Sequence, residues 1–422
     1  MQTAPPIRHG FRYRMVIVAV LFTGIAVAYM DRVNVSVLAA NDIFLTDMGI
    51  MGNPVKIGML MSIFLAFYGL ANILVDWLSR RFGARKAMMI SICLWIVSLI
   101  VGGMAPSFGV MLFARVLLGI GEGFYYPLQS VIVKQWIPPA ERGKANAAWS
   151  IGQSLAPAIA MPLLSYVIAV WGWRESFHVL VPITCLPLLM FWFLVTDAPA
   201  QNKRVSPEEA AFIEESLAGE KRAGAGQGFW ANFRRVAGSG NYWLLVVWYL
   251  SLNLIYWGLI SWLPSYLKEA RGFSWQQVGW LSSLPFILTI ITKAYTGWIV
   301  DKIGRCAPIL MGGMFAGAGC IFAATIIENN YLAAVVLACA SASTSMGLPA
   351  AWTLLQKVTP SENIGTAGGV MVGLSTGISS LSPVLIGFFI TLTGGFAGGL
   401  GMLIGTALVA GCATAVLVFR KY

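Results

Sequence analysis

Apolar residues in this chain come in runs of about twenty, separated by short polar segments. That is the length a helix needs to cross the roughly 30 Å hydrocarbon layer of a bilayer. Inside lipid every backbone N–H and C=O must be satisfied within the segment, so each run is committed to a helix. Twelve runs can be placed, near residues 14–38, 57–79, 87–105, 109–133, 145–169, 175–196, 241–267, 276–298, 307–327, 331–356, 365–391 and 397–419. Only 11% of residues are charged, against the quarter usual in soluble domains. The expected fold class is an all-α integral membrane protein.

A net charge of +11 would suit a nucleic-acid ligand, but the placement of the bases argues against one. Twenty-one of the 28 Lys and Arg fall at the chain ends or in alternate loops, among them Arg80, Arg81, Arg85, Lys86, Lys203 and Arg204. The opposite loops hold Lys56, Arg174, Lys268 and Arg271. This positive-inside bias predicts a multi-pass protein of the cytoplasmic (inner) membrane with both termini in the cytoplasm. The first run is too long for a signal peptide and contains Asp31-Arg32, so it reads as a retained helix. The six cysteines show neither CxxC spacing nor a pairing pattern and read as apolar packing residues.

The chain repeats at an offset of 221 residues: Gly58-Met59-Leu60-Met61-Ser62 aligns with Gly279-Trp280-Leu281-Ser282-Ser283, Trp77 with Trp298, and Gly83 with Gly304. This predicts two pseudo-symmetric six-helix bundles, residues 1–197 and 241–422, joined by a cytoplasmic linker at 198–240. In the linker, Ser206-Pro207-Glu208-Glu209 has the pattern of a helix start, with Ser206 as cap, so a short amphipathic helix is expected there. Parallel six-helix halves are a transporter design that holds the solute between them near the midplane.

Charge inside the spans points to what is moved. An ionisable group at membrane depth costs about 2.5–3.5 kcal/mol on the most lenient scale, and such groups mark ion or substrate pathways. The first span carries Asp31 and Arg32, and the fourth carries Arg115 and Glu122. Neighbours on a helix point about 100° apart, so Asp31 and Arg32 should each find a partner elsewhere. Arg115 and Glu122 are two turns apart on one face, stacked about 10 Å apart along the axis rather than touching. A guanidinium fork suits a carboxylate in a dry cavity, which makes Arg32 the leading substrate ligand, with Arg115 steering entry or tuning Glu122. A proton-carrying carboxyl must be neutral near neutral pH, a state that burial favours and a nearby cation opposes. Asp31 and Glu122 meet that need if their arginines turn toward substrate. A purely structural ion-pair network is the alternative. Lys293, near the inner end of the eighth span, reads as a side chain snorkelling to the headgroups.

The segment Gly297-Trp298-Ile299-Val300-Asp301-Lys302-Ile303-Gly304-Arg305 resembles the G-x-x-x-D-[RK]-x-G-R loop motif of the major facilitator superfamily. Tyr29-Met30-Asp31-Arg32-Val33-Asn34, the stretch from Arg115 through Gly119 and Glu122 to Pro127, and Gly172-Trp173-Arg174 resemble signatures of its anion:cation symporter family. The likeness covers essentially the whole chain. It implies import of organic anions such as sugar acids by alternating access, proton sites at Asp31 and Glu122, and a monomer. It also implies that Tyr29, Tyr68, Gln153, Tyr256, Trp257 and Trp352 line the cavity, and that Gly297, Asp301, Lys302, Gly304 and Arg305 form a gate. The first-half gate (Asp76, Arg80, Arg81, Gly83) departs from the motif, with Arg80 where the motif has Asp and Asp76 where it has Gly. Either Asp76 replaces the missing acid one turn deeper, or the motif has drifted without consequence. Pro349, Ala351 and Val372 stand where sugar-acid carriers often show polar groups, with Ser375 and Thr376 left to compensate. Unpaired substrate hydroxyls are penalised on burial, so the expected substrate is a carboxylate less hydroxylated than a hexonate, short-chain or aromatic.

The expected activity is proton-coupled import of an organic monoanion. The alternatives are proton-driven export of amphipathic compounds, which Arg32 and Arg115 oppose, and carboxylate sensing without transport. HExxH and Gly-rich nucleotide-loop motifs are absent, and the buried acids and bases suit ion coupling, so no enzyme, catalytic residue, metal site or cofactor is expected.

Overall fold

The computed structural model describes residues 12–223, 229–303, 305–359 and 363–421. Its first half contains α1 (Tyr13–Leu38), the short α2 (Asp42–Asp47), α3 (Pro54–Phe82), α4 (Ala84–Gly103), α5 (Phe108–Trp136), α6 (Arg142–Trp171) and α7 (Trp173–Leu194). Two helices follow in the linker, α8 (Pro207–Ala223) and α9 (Phe229–Ala237). The second half contains α10 (Gly240–Ser265), α11 (Trp275–Ile303), α12 (Ala307–Ile326), α13 (Asn330–Ser345), α14 (Leu348–Val358), α15 (Ile364–Ser379), α16 (Ser382–Thr393) and α17 (Phe396–Phe419). Together they supply twelve stretches long and apolar enough to span a membrane, six before the linker and six after it.

Local chemistry sets the helix ends. Asn41 and Asn53 accept the Phe44 and Lys56 N–H groups at 2.8 and 3.1 Å and cap α2 and α3, and Pro54 occupies the first turn of α3. Ser206 Oγ caps α8 by accepting the Glu209 N–H at 3.1 Å. The tenth and eleventh runs differ from the expectation of unbroken helices. Each is interrupted, at Met346–Gly347 and at Ser380–Leu381, with Pro349 and Pro383 in the first turns of α14 and α16. Proline lacks the N–H that would continue the ladder, and its ring opposes the carbonyl four residues back. The linker also holds α9 beyond the single helix anticipated, because Phe229, Trp230 and Phe233 recur at helical spacing among polar neighbours.

The halves meet closely at the end opposite the linker. A Cβ on Gly58 would lie 2.4 Å from Pro383 O, and one on Gly387 would lie 2.4 Å from Pro54 O. These reciprocal glycines let α3 and α16 touch backbone to backbone. Ser62 Oγ accepts the Val384 N–H at 3.2 Å, Ser265 Oγ donates to Ala39 O at 2.9 Å, and Trp275 Nε1 donates to Ser165 O at 2.6 Å. That mouth is sealed. Beside it, Asp47 Oδ2 accepts from Trp173 Nε1 at 2.8 Å and from Arg174 Nη1 at 3.2 Å, so the Gly172-Trp173-Arg174 turn anchors the segment between α1 and α3. At the other end, Glu209 of α8 accepts the Tyr13 and Arg14 N–H groups at 2.9 and 3.2 Å and pairs with Arg14 Nη1 at 3.0 Å. A linker side chain thus caps the first membrane helix.

Candidate functional site

The site begins with three glycines. A Cβ on Gly119 would lie 2.5 Å from Phe64 O, and one on Gly123 would lie 2.6 Å from Tyr68 O. Gly121 lies as close to Trp95 on the other side, where its Cβ would be 2.5 Å from the indole. This small-xxx-small spacing lets α5 press against α3 and α4. It carries Glu122, which is fully buried, into the centre of the first half.

There Glu122 Oε2 accepts from Arg32 Nε of α1 at 2.5 Å. Both partners are buried, so the contact is a desolvated ion pair rather than a surface one. Removing one member of such a pair costs about 3–5 kcal/mol, because the other charge is stranded. Aromatic rings enclose the guanidinium: Tyr29 at 4.5 Å, Tyr68 at 4.8 Å, Phe64 at 5.7 Å and Trp257 at 5.8 Å from ring centroid to Cζ. Trp257 belongs to α10, so the cage is built from both halves and Arg32 sits at their junction. Tyr256 extends the wall edge-on to Trp257 at 5.2 Å.

Arg115 takes a different role from Arg32. Its Nε donates to Leu60 O at 3.0 Å, Nη2 lies 3.3 Å from Met61 Sδ, and Cζ lies 4.6 Å from the Phe64 ring centroid. Phe64 therefore touches both arginines. Arg115 and Glu122 are stacked without a direct bond, as their spacing implies. Asp31 departs from expectation. It is buried, yet neither carboxylate oxygen has a hydrogen-bond partner among the described residues. Lying about 100° around the helix from Arg32, it is turned away from the guanidinium that donates to Glu122.

The remaining expected residues separate into groups. Tyr29, Tyr68, Tyr256 and Trp257 converge on Arg32. Gln153 is half-buried on α6, next to Gly152, where that helix closes on Ile25 of α1. Trp352 is 38% exposed and meets Tyr249 edge to face at 6.3 Å rather than joining the Arg32 cage. Ser375 is buried on α15 and its Oγ has no hydrogen-bond partner among the described residues. Lys293 is half-buried on α11. Phe64 and Tyr249 were not anticipated. Phe64 lies one turn before Tyr68 on the same face, a spacing the sequence displays, whereas Tyr249 has no comparable signal.

Of the expected gate, Gly83 adopts φ +80° between α3 and α4, and a Cβ there would lie 2.9 Å from an Asp197 oxygen. Both the backbone conformation and the neighbouring carboxylate favour glycine at that turn. Arg81 is exposed and lies over the adjacent Phe82 ring at 5.9 Å. Arg305 Nη2 donates to Val418 O at 3.0 Å, and Lys302 is exposed. The side chains of Asp76, Arg80 and Asp301, the surroundings of Gly297 and all of Gly304 lie outside the described residues. Among the described residues there is no group of three or more His, Cys, Asp or Glu side chains that could hold a metal ion.

A family model described as Major Facilitator Superfamily matches residues 21–383. A probable sulfoacetate transporter of Cupriavidus necator is 28% identical, over 92% of this chain and 90% of its own length. A probable galactarate/D-glucarate transporter of Escherichia coli is 27% identical over 93% and 91%, and a hexuronate transporter of Bacillus subtilis is 27% identical over 95% and 93%. Among solved structures, a bacterial homologue of the human lysosomal transporter Spinster, inward-facing and unoccupied, superposes with a TM-score of 0.76 at 18% identity. That match covers 98% of this chain and 96% of the other. A D-xylose–proton symporter gives a TM-score of 0.72 at 16% identity, covering 97% of each chain. These structures share the fold.

Proposed function

Because this chain belongs to the Major Facilitator Superfamily, we propose that it is a secondary active transporter importing an organic carboxylate with protons by alternating access. The observation that carries this reading is Arg32, held by Glu122 at 2.5 Å inside an aromatic cage to which both halves contribute. A guanidinium at the junction of two rocking bodies meets a carboxylate in a planar, two-point fashion. The tyrosine and tryptophan faces around it suit the apolar body of the solute, and the tyrosine hydroxyls suit its polar edge.

The coupling follows from partner exchange. An incoming carboxylate competes with Glu122 for Arg32. Once displaced, Glu122 is a buried carboxyl without its cation, and low dielectric then favours its protonated form. Substrate and proton therefore enter the site together. Asp31, buried without a hydrogen bond, is the second proton carrier. Arg115, fixed to a helix carbonyl, biases the field around both acids without leaving its place. The seal at Gly58 and Gly387 closes the outer mouth, so the described state is the one that faces the cytoplasm, the side on which the linker and both termini lie. Residues 1–197 and 241–422 are the two rocking bodies, and Asp76, Arg80 and the Asp301 loop are the inner gate.

The substrates named for the relatives, sulfoacetate, aldarates and hexuronates, are all organic acids and support an anionic cargo. Pro349, Ala351 and Val372 stand where the resemblance puts polar groups, and their apolar side chains favour a carboxylate with few hydroxyls. Uptake by the purified protein in liposomes, over a panel from hexonates to short sulfonated, hydroxylated and aromatic acids, tests the proposal. Gradient-stimulated uptake of one acid class, abolished by Arg32→Ala, supports it. Uptake that is flat across the panel, or export of amphipathic cations from loaded vesicles, overturns it.

A further inference from the structure

A groove of about 580 Å³ opens on the outside of the first half, away from Arg32. Its walls come from α4 and the end of α7, with Phe82 of α3 at one corner. Arg85 and Lys86 stand at one end, and Ile90, Cys93, Val97 and Trp192 run along it. From Lys86 to Val97 the rise along a helix is about 16 Å, close to the roughly 15 Å of one hydrocarbon leaflet. Ile90, Val97 and Trp192 are 37%, 46% and 57% exposed, so in a bilayer these walls face lipid.

The basic end is built rather than incidental. Arg85 Nε donates to Phe191 O at 3.3 Å and Nη2 donates to Trp192 O at 2.5 Å, fixing the guanidinium across the last turn of α7. The remaining N–H groups of its fork and its charge stay at the groove's mouth. Lys86 is exposed and has no hydrogen bond or ion pair among the described residues. The neighbouring acid, Asp197, accepts the Arg85 backbone N–H at 2.8 Å. The sequence adds to the same end: Arg80 stands where the loop motif carries Asp, so Arg80, Arg81, Arg85 and Lys86 fall within seven positions. Four bases thus fall at the turn between α3 and α4.

We propose that this groove binds an anionic phospholipid, its phosphate held between Arg85 and Lys86 and one acyl chain lying along Ile90, Cys93 and Val97. A basic end at headgroup level with an apolar channel one leaflet deep matches that molecule in both charge and length. A soluble anion would use the bases but leave the channel unfilled, and a neutral lipid would use the channel but not the bases.

Native mass spectrometry of the detergent-solubilised full chain tests this, with titration by dioleoylphosphatidylglycerol, dioleoylphosphatidylcholine and inorganic phosphate. Phosphatidylglycerol is expected to bind more tightly than phosphatidylcholine. Lys86→Gln should weaken it about fivefold, the value of one base near an anionic headgroup, while Lys203→Gln, a control on the same side, leaves it unchanged. Cys93→Trp, which fills the channel, should weaken both lipids. The proposal fails if the two lipids bind equally or if Lys86→Gln and Lys203→Gln behave alike. It also fails if inorganic phosphate displaces phosphatidylglycerol and Cys93→Trp has no effect, which would mark a headgroup-only site.

Discussion

A single methyl group at Gly58 should unseat the outer seal. With an ideal Cβ only 2.4 Å from Pro383 O, Gly58→Ala needs about 1 Å of separation between α3 and α16 before the contact becomes ordinary. Overpacking of this kind costs about 1–3 kcal/mol, and only in the state where the two backbones touch. A penalty confined to one of two states shifts their ratio by roughly 5- to 150-fold. Gly387→Ala meets Pro54 O at the same 2.4 Å and should act alike, and the double variant should fall short of additive because both relieve one interface. Gly69→Ala is the control, since a Cβ there meets nothing within 4 Å. Spin labels at Ile43→Cys and Leu392→Cys, both well exposed near the outer mouth, report the distance between the halves once the native cysteines are replaced. Electron–electron resonance should show a longer component in both seal variants and not in the control. If all three glycine variants keep the distance distribution of the parent, the seal is not what holds that mouth shut.

Other expectations are more local. Arg32→Lys keeps the charge but loses the fork, so gradient-driven uptake in liposomes should drop at least tenfold while the fluorescence-detected melting temperature stays within a few degrees. Asp31→Asn removes a carboxyl that makes no hydrogen bond among the described residues, so the protein should fold as well as the parent and still exchange substrate, while proton-driven accumulation is lost. Glu209→Ala strips Arg14 of one of its two carboxylates and uncaps α1, which should cost about 1.5–3 kcal/mol and lower the melting temperature in detergent, whereas Lys203→Ala should not.

The twelve spans were legible because lipid leaves the backbone few choices: a run of apolar residues of the right length is a helix wherever it sits in the fold. The predicted edges from 14–38 to 397–419 accordingly fall within a few residues of the helices. Partner choice was less accessible. The type and depth of Arg32 and Glu122 announce a site, but their pairing depends on three glycines in α5 that set how closely it approaches α3 and α4, a tertiary distance. The interruptions at Met346–Gly347 and Ser380–Leu381 had a visible cause in Pro349 and Pro383, yet hydropathy does not register a break in an apolar run. Gly58 and Gly387 stood in plain view, but a glycine that admits a facing helix looks the same in sequence as one that meets nothing. Glu209 as the cap of α1 links residues almost two hundred positions apart, beyond any local signal.

The Arg32–Glu122 pair also fixes what an empty carrier can do. With the two joined, this part of the site holds one positive and one negative charge that cancel, so the halves can reorient without moving a net charge between dielectrics. In the proposed cycle, bound substrate replaces Glu122 as the anion on Arg32, and neutrality then requires Glu122 to take a proton. Binding therefore absorbs a proton, and affinity must fall as pH rises, by up to tenfold per pH unit where Glu122 is otherwise deprotonated. Glu122→Gln supplies the neutral partner permanently. It should bind substrate with little dependence on pH, exchange it across the membrane, and fail to accumulate it against a gradient. Calorimetric titration of the transported acid at pH 6 and pH 8 separates the cases: a slope retained in Glu122→Gln would move the coupled proton elsewhere, to Asp31 first, and reduce the ion pair to a structural brace.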